Sequence, residues 1–241
     1  MAICFATRKS NLDTDLVLDS QFYDPQKLGY IDKLGKQSRY KISDKFSEII
    51  DLTSSQKKLS FPFLVYNLTE SLGNLFADGE VVNSAEDIGS TKKIAQPNDF
   101  AVSRLRYYLK EFGLVPKREY PPLLSTEYVV LRQKGTISPH LLIPFFLLSE
   151  IQFIFEHSQR GSEHPRLANK DILNLPLPDS LVKKAEEISG RVSSAIESFE
   201  KAKKFYPEAE QELLERMEWH KVAINQQLGY VATSNDIRTD E

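Results

Sequence analysis

The side chains best suited to chemistry in this chain are basic residues near its middle. Residues 92–134 contain nine Lys or Arg against four acidic residues, Asp99, Glu111, Glu119 and Glu127, an excess of five. Such cations bind phosphate groups, and arginine can also recognise base edges through its bidentate guanidinium. Because the whole chain carries a net charge of −3, this excess predicts a local anion-binding surface and not a generally basic protein.

Two groups of basic residues are candidates for such contacts. Arg104 and Arg106 would share one face if residues 103–106 are extended, because side chains alternate along a strand. Arg160, Ser162 and Arg166 surround a turn that contains Gly161. The full candidate set is Arg104, Arg106, Lys110, Lys117, Arg118, Arg132, Lys134, Arg160, Ser162 and Arg166. The alternative interpretation, a solvated or ion-paired surface, stays open for each residue.

No pattern in the sequence predicts catalysis. The chain has no glycine-rich phosphate loop of the GxGxxG type. Its four histidines, His140, His157, His164 and His220, lack the spacing of metal ligands, and Cys4 is the single cysteine. We therefore expect no catalytic residue, no metal site and no cofactor.

Composition places the chain among soluble globular proteins. Hydrophobic residues make up 41% and charged residues 27% of its 241 residues, which is ordinary for that class. The longest apolar run, residues 141–148, contains Pro144 and is far shorter than the roughly 20 residues of a membrane span. The N-terminal sequence lacks the features of a signal peptide. We therefore predict a cytoplasmic protein that does not contact a membrane.

Short strands and a few helices are expected to position the basic residues. Periodicity and turn signals predict strands at residues 61–68, 100–105, 112–115 and 128–132, and helices at residues 25–34, 42–52 and 139–155. A helical turn at residues 169–173 and an extended segment at residues 175–178 follow, and Pro121 and Pro122 predict a loop. The predicted fold class is α+β, with a curved, mostly antiparallel sheet, flanking helices and a long C-terminal helix or helical hairpin.

The C-terminal helix carries a heptad seam, defined by Leu181, Ala185, Ile188, Val192, Ala195, Phe199, Ala202 and Tyr206. This spacing keeps one apolar line facing a partner helix, and charged residues occupy most positions between. Pro207 interrupts the pattern, so either one helix is kinked there or a second helix begins with this proline. We interpret residues 179–230 as a helical spacer or dimerisation region and residues 231–241 as a disordered polar tail.

The order of several segments resembles the target-recognition domain of type I restriction–modification specificity subunits. The matching segments are QPNDFAVSRLR at residues 96–106, LSTEYVVLR at residues 124–132, the helix at residues 141–155, the turn Arg160-Gly161-Ser162, and NKDILNLPLP at residues 169–178. Upstream, DSQFYDP at residues 19–25 is similar to the segment that opens many such domains. The resemblance implies that residues 1–178 form a DNA-binding domain and that the ten basic-cluster residues above are its DNA-binding candidates.

The resemblance also implies partners. Specificity subunits of this family are non-catalytic, and they direct a methyltransferase subunit and a motor–nuclease subunit to a bipartite site in double-stranded DNA. A full subunit has two recognition domains and two long helices, whereas this chain has one of each and looks like a half-subunit. Two copies pairing through the seam would form a homodimer that reads an inverted repeat. The alternatives are a structural adaptor whose helix docks a protein complex without DNA, and a recognition module of a fused methyltransferase–nuclease.

Overall fold

The computed structural model of the protein describes residue 17, residues 19–53 and residues 61–217. The chain divides into two compact units, Met1–Ser194 and Ala195–Glu241. In the described residues the first unit is a mixed α and β structure, and the second is helical. The predicted polar tail, residues 231–241, lies outside the described residues.

Seven α-helices occur in the described part of the chain. They are α1 (Pro25–Lys36), α2 (Ile42–Lys45), α3 (Leu142–Leu147), α4 (Ser149–Glu156), α5 (Asn169–Leu173), α6 (Asp179–Lys183) and α7 (Ala185–Arg216). The start of α1 follows from its sequence, because Asp24 accepts hydrogen bonds from the backbone N–H groups of Gln26 (2.7 Å) and Lys27 (3.3 Å), and Pro25 fits the first helical position.

Ten described strands form two four-stranded sheets and one two-stranded ribbon. The strands are β1 (Tyr40–Lys41), β2 (Phe46–Ile49), β3 (Phe63–Tyr66), β4 (Glu80–Val82), β5 (Lys92–Ile94), β6 (Phe100–Ser103), β7 (Phe112–Leu114), β8 (Pro122–Ser125), β9 (Tyr128–Gln133) and β10 (Pro176–Leu177). The sheets have the orders β2-β9-β6-β7 and β4-β3-β8-β5, and β1 pairs with β10. All pairs are antiparallel except β3 with β8.

The core lies on both faces of the sheet that contains β6 and β9. One buried cluster joins Ala101 and Val130 of this sheet to Leu64 and Leu124 of the other sheet. On the opposite face, Phe146 of α3 packs against Phe100 of β6, with ring centroids 5.0 Å apart. Because successive strand residues face opposite sides, Phe100 packs on the helices and Ala101 packs on the other sheet. The result is a layer of helices and two layers of sheet.

The predicted α+β class with mostly antiparallel strands and a long C-terminal helix is confirmed, but several elements differ. The helix expected at residues 42–52 ends at Lys45 and continues as β2, because residues 46–49 pair with β9. The loop expected at Pro121 and Pro122 is wrong at Pro122, which is the first residue of β8, a position where a strand tolerates proline. The helix expected at residues 139–155 is two pieces, Pro139–Leu147 and Ser149–Glu156, bent by 80°.

The C-terminal helix also differs from the prediction. It begins as the short α6, breaks at Lys184 and continues as α7. Pro207 lies inside α7, so within the described residues it does not divide the region into a hairpin. Among the described helices no single one is long and apolar enough to span a membrane, and only the bent pair Pro139–Leu147 and Ser149–Glu156 reaches the required composition jointly.

Candidate nucleic-acid interface

Much of the basic excess between residues 92 and 134 is not at the surface. Lys92 and Lys93 are buried on β5. The Lys92 ammonium donates to Asn67 Oδ1 (3.1 Å), and that of Lys93 donates to the Tyr128 carbonyl (2.7 Å) and lies 3.9 Å from Glu48. Burial lowers the pKa of Lys93. Lys93 therefore joins β5 to the other sheet, Lys92 joins β5 to the end of β3 within its own sheet, and neither contributes a surface for anions.

Glu127 joins two of the predicted DNA-binding arginines. Its carboxylate accepts hydrogen bonds from Arg166 Nη2 (3.0 Å) and Nε (3.2 Å), and from Arg104 Nη2 (3.2 Å). Arg104 also donates to Asn169 Oδ1 (3.2 Å). The hydrogen bonds from Arg166, with further attraction from Arg104, hold the pKa of Glu127 below its usual value. We call Arg104, Glu127 and Arg166 the Glu127 cluster; its two cations share one anion.

Two other predicted arginines are also engaged by carboxylates. Arg132 on β9 donates to Asp99 through Nε (2.9 Å) and Nη2 (2.7 Å), and Asp99 is buried. This bidentate pair fixes the turn before β6, because Asp99 also accepts from the backbone N–H of Gln96 (2.8 Å). Arg160 forms an ion pair with Asp171 of α5 and lies over the ring of Phe22 (4.9 Å to the centroid). These contacts therefore hold the segments before β6 and at α5 in place, and they occupy both arginines with structural partners.

Four further candidates lie at the surface in different settings. The ammonium of Lys134 donates to the Ser43 carbonyl (2.7 Å), and Arg118 lies 3.6 Å from Asp78. Ser162 is exposed on the turn after Gly161. Lys117 is exposed, and within the described residues its ammonium forms no hydrogen bond or ion pair. These four residues therefore share no partner with one another in the described part of the chain.

The remaining two candidates, Arg106 and Lys110, lie on the loop between β6 and β7, and we call residues 106–110 the tip loop. Both are exposed, and in the described part of the chain neither side chain forms a hydrogen bond or an ion pair. Strand β6 ends at Ser103, and Arg106 has a left-handed backbone (φ 50°). The condition under which Arg104 and Arg106 would share one face, an extended stretch at residues 103–106, is therefore not met. Arg104 turns into the Glu127 cluster, and Arg106 remains at the surface.

Sequence reasoning missed the apolar part of the tip loop and the anionic partners of the arginines. Tyr108 and Leu109 are exposed although they are large and hydrophobic. The signal was available in the apolar run at residues 107–109, which lies between Arg106 and Lys110. The pairing of Glu127, Asp99 and Asp171 with arginines had no such signal, because each partner is distant in sequence.

The predicted dimer seam changes character along its length. Within the first unit, Ala185 is buried, and Leu181 and Ile188 line a groove of about 470 Å³ together with Phe145 and Leu148. Val192 is half-buried, and Ala195 and Ala202 are exposed. Large apolar side chains further along α7 are exposed, including Phe199 at 45% and Tyr206 at 76%. Phe205, Leu213, Leu214 and Met217 are exposed as well.

Metal binding has no structural support in the described residues. Nowhere in these ranges do three or more His, Cys, Asp or Glu side chains come together in a way that could hold a metal ion.

Comparisons with known proteins give a likeness of fold. No protein-family model and no curated protein matches the sequence. A solved chain from work on complex assembly and conformational transition of the type I R-M system matches with a TM-score of 0.50 and 16% identity, over 81% of this chain and 51% of that chain. The HsdS subunit from Thermoanaerobacter tengcongensis matches with a TM-score of 0.47 and 18% identity, over 72% of this chain and 45% of that chain.

The chain thus spans about half the length of the solved structures that it matches. It shares the fold of a chain from a type I R-M system, so the resemblance drawn from the sequence is confirmed at the level of the fold.

Proposed function

We propose that this chain is a DNA-recognition subunit of a type I restriction–modification system. It would perform no chemistry itself and would direct methyltransferase and motor–nuclease subunits to a bipartite site in duplex DNA. The observation that carries the proposal is the fold likeness over 81% of the chain to a chain from such a system. The order of the segments at residues 96–106, 124–132 and 169–178 supports the same assignment.

Charge placement favours DNA as the ligand of the first unit. Arg106, Lys110 and Lys117 are exposed. When cations of this kind contact phosphates, they displace counterions that are condensed on the DNA, and this release is a large source of DNA affinity. The arginines held by Glu127, Asp99 and Asp171 would instead fix the segments that carry the surface. DNA contact would therefore come from fewer residues than the sequence predicts.

Exposed apolar side chains on α7 favour pairing of two copies. Phe199, Tyr206, Leu213 and Met217 continue the apolar pattern beyond the first unit, and all four are exposed. Large exposed apolar groups on one helix face mark an interaction site. Pairing of this face with that of a second copy would bring two recognition units to one DNA, and twofold symmetry would make the site an inverted repeat.

The function is tested by selection from duplexes with a randomised central region, using the purified chain together with the methyltransferase subunit of its system. The expected result is enrichment of two half-sites separated by a fixed spacer. A matched selection without the chain is the control. Equal recovery of all sequences would refute the proposal and leave the structural adaptor as the better account.

The pairing is tested by sedimentation of F199D/Y206D, which places two charges on the exposed seam. We expect the double variant to sediment as a monomer, since two unpaired charges in an apolar interface are strongly unfavourable. K204D/Q211D introduces the same residue type on the opposite side of the heptad and should leave the dimer intact. Substitution of Ile188 is less informative, because this residue also lines the groove of the first unit. An unchanged mass for F199D/Y206D would exclude the seam from the interface.

A further inference from the structure

The tip loop combines exposed apolar residues with exposed cations on a fixed backbone. Tyr108 is 54% exposed and Leu109 is 41% exposed, whereas Tyr107, which precedes them, is buried. Arg106 and Lys110 flank this apolar pair, and both have left-handed backbone conformations, with φ angles of 50° and 54°. Non-glycine residues adopt this region rarely, so the surrounding contacts must hold the loop in place.

Tyr107 anchors the loop from inside. Its ring stacks on Phe112 (6.3 Å between centroids) and meets the edge of Phe155 (4.9 Å). Gln152 Nε2 donates to the Tyr107 hydroxyl (3.1 Å), and the backbone N–H of Tyr107 donates to Gln159 Oε1 (3.2 Å). Tyr107 thus ties the tip loop to β7 and α4 through its side chain, and to the segment that follows α4 through its backbone N–H.

Both ends of the loop are held as well. The backbone N–H of Arg106 donates to the Pro165 carbonyl (3.0 Å). At the other end, Asn74 Nδ2 donates to the Lys110 carbonyl (3.0 Å). Close approach of these segments requires glycine at position 113, because a Cβ there would lie 2.9 Å from the Asn74 carbonyl oxygen. The outward side chains are therefore presented by a preorganised backbone, which lowers the entropy lost on binding.

We propose that the tip loop is a DNA-contacting wedge, in which Arg106 and Lys110 bind backbone phosphates while Tyr108 and Leu109 contact the bases between them. The proposal deepens the proposed function and rests on it. Apolar side chains that enter a groove between flanking cations partly unstack a base step, and the cations hold the distorted duplex. A protein partner fits less well, since lysine is depleted in protein interfaces and Lys110 lies directly beside the apolar pair.

The electrostatic part of the proposal is tested with R106A/K110A on a duplex that carries the selected site. Loss of two phosphate contacts should reduce the slope of log affinity against log salt by about 2. The matched control K33A/K36A removes two exposed lysines from α1 and should keep the wild-type slope. Near-ultraviolet circular dichroism confirms that the fold is retained in each variant.

The apolar part is tested with Y108A/L109A on duplexes that carry 2-aminopurine at successive positions of the site. Wild-type protein should increase the fluorescence at one step, and the variant should lose that increase and bind at least about fivefold more weakly, as expected when a base contact to an aromatic side chain is removed. V81A shortens an exposed apolar side chain on β4 and should behave as wild type.

Three outcomes would overturn the wedge. If both tip-loop variants bind DNA as wild type does, the proposed function stands and the wedge is wrong. If they bind DNA normally but no longer co-sediment with the methyltransferase subunit, the tip loop is a protein contact. If the wild-type chain itself shows no duplex preference, the proposed function fails, and the wedge fails with it.

Discussion

Arg104 and Arg106 are two residues apart, yet the structure places their charges in different surroundings. Arg104 belongs to the Glu127 cluster, where one carboxylate accepts hydrogen bonds from two arginines. Arg106 belongs to the tip loop and forms no hydrogen bond or ion pair in the described part of the chain, although its charge partly offsets the burial that raises the pKa of Glu111. An arginine hydrogen-bonded to a carboxylate adds little to the attraction of DNA, whereas an exposed one adds most of its charge. The basic residues that pair with carboxylates therefore have to be separated from the exposed ones before a basic stretch of sequence is interpreted as a binding surface.

The largest effect is expected from Y107A, because this substitution removes the buried side chain that holds the tip loop in place. Truncation of a fully buried aromatic ring costs about 3–5 kcal/mol, so we expect the free energy of unfolding to fall by that amount in urea titrations. The neighbouring Y108A is the control and should change stability by no more than about 0.5 kcal/mol, because its ring is exposed. Equal losses for the two variants would contradict the described packing.

The next effect concerns the Glu127 cluster itself. E127Q removes the charge shared by Arg104 and Arg166, and we expect the free energy of unfolding to fall by about 1–2 kcal/mol, since the three side chains are only partly buried. DNA affinity should not fall, because the substitution leaves two cations less neutralised. E163Q changes an exposed glutamate in the nearby turn and should be neutral. A loss of DNA affinity in E127Q with full stability would mean that the cluster contacts DNA.

A smaller effect is expected in the pH dependence of stability. The arginines lower the pKa of Glu127, so its ion pairs stabilise the fold above the ordinary value of 4.5, and this contribution is lost as the pH falls through the lowered folded-state pKa. Burial raises the pKa of Glu111, which follows the tip loop, so its ionisation destabilises the fold at neutral pH, and protonation relieves this as the pH falls through the raised pKa. At neutral pH we expect E127Q to lower and E111Q to raise stability in urea titrations, with both differences shrinking towards acid. Changes of the same sign would contradict the assignment.

Local sequence determined those elements whose partners are near in the chain. The helix α1, the helical turn at α5 and the strands β6, β7 and β9 were predicted at nearly their observed positions, because short-range patterns dominate there. The helix expected at residues 42–52 was wrong because pairing of Phe46–Ile49 with β9 outweighs its helical spacing. Strand β8 was missed because a proline pair was interpreted as a loop, although β8 pairs with both β3 and β5.

The same division applies to the candidate site. The sequence identified every basic residue of the Glu127 cluster and the tip loop, because charge can be counted directly. It could not separate them, because Glu127 is 23 residues from Arg104 and 39 residues from Arg166. Only the folded chain shows that a turn after β6 directs Arg104 and Arg106 to different places.

The most direct test of this account is the salt dependence of DNA binding by R104A and R106A, measured on one duplex with the selected site. The account predicts that R106A reduces the slope of log affinity against log salt by about 1, while R104A retains the wild-type slope. Denaturation of the same preparations should show the reverse order, with R104A less stable than R106A. A reduced slope in R104A together with a wild-type slope in R106A would contradict the central claim that the fold divides these two cations between structure and DNA.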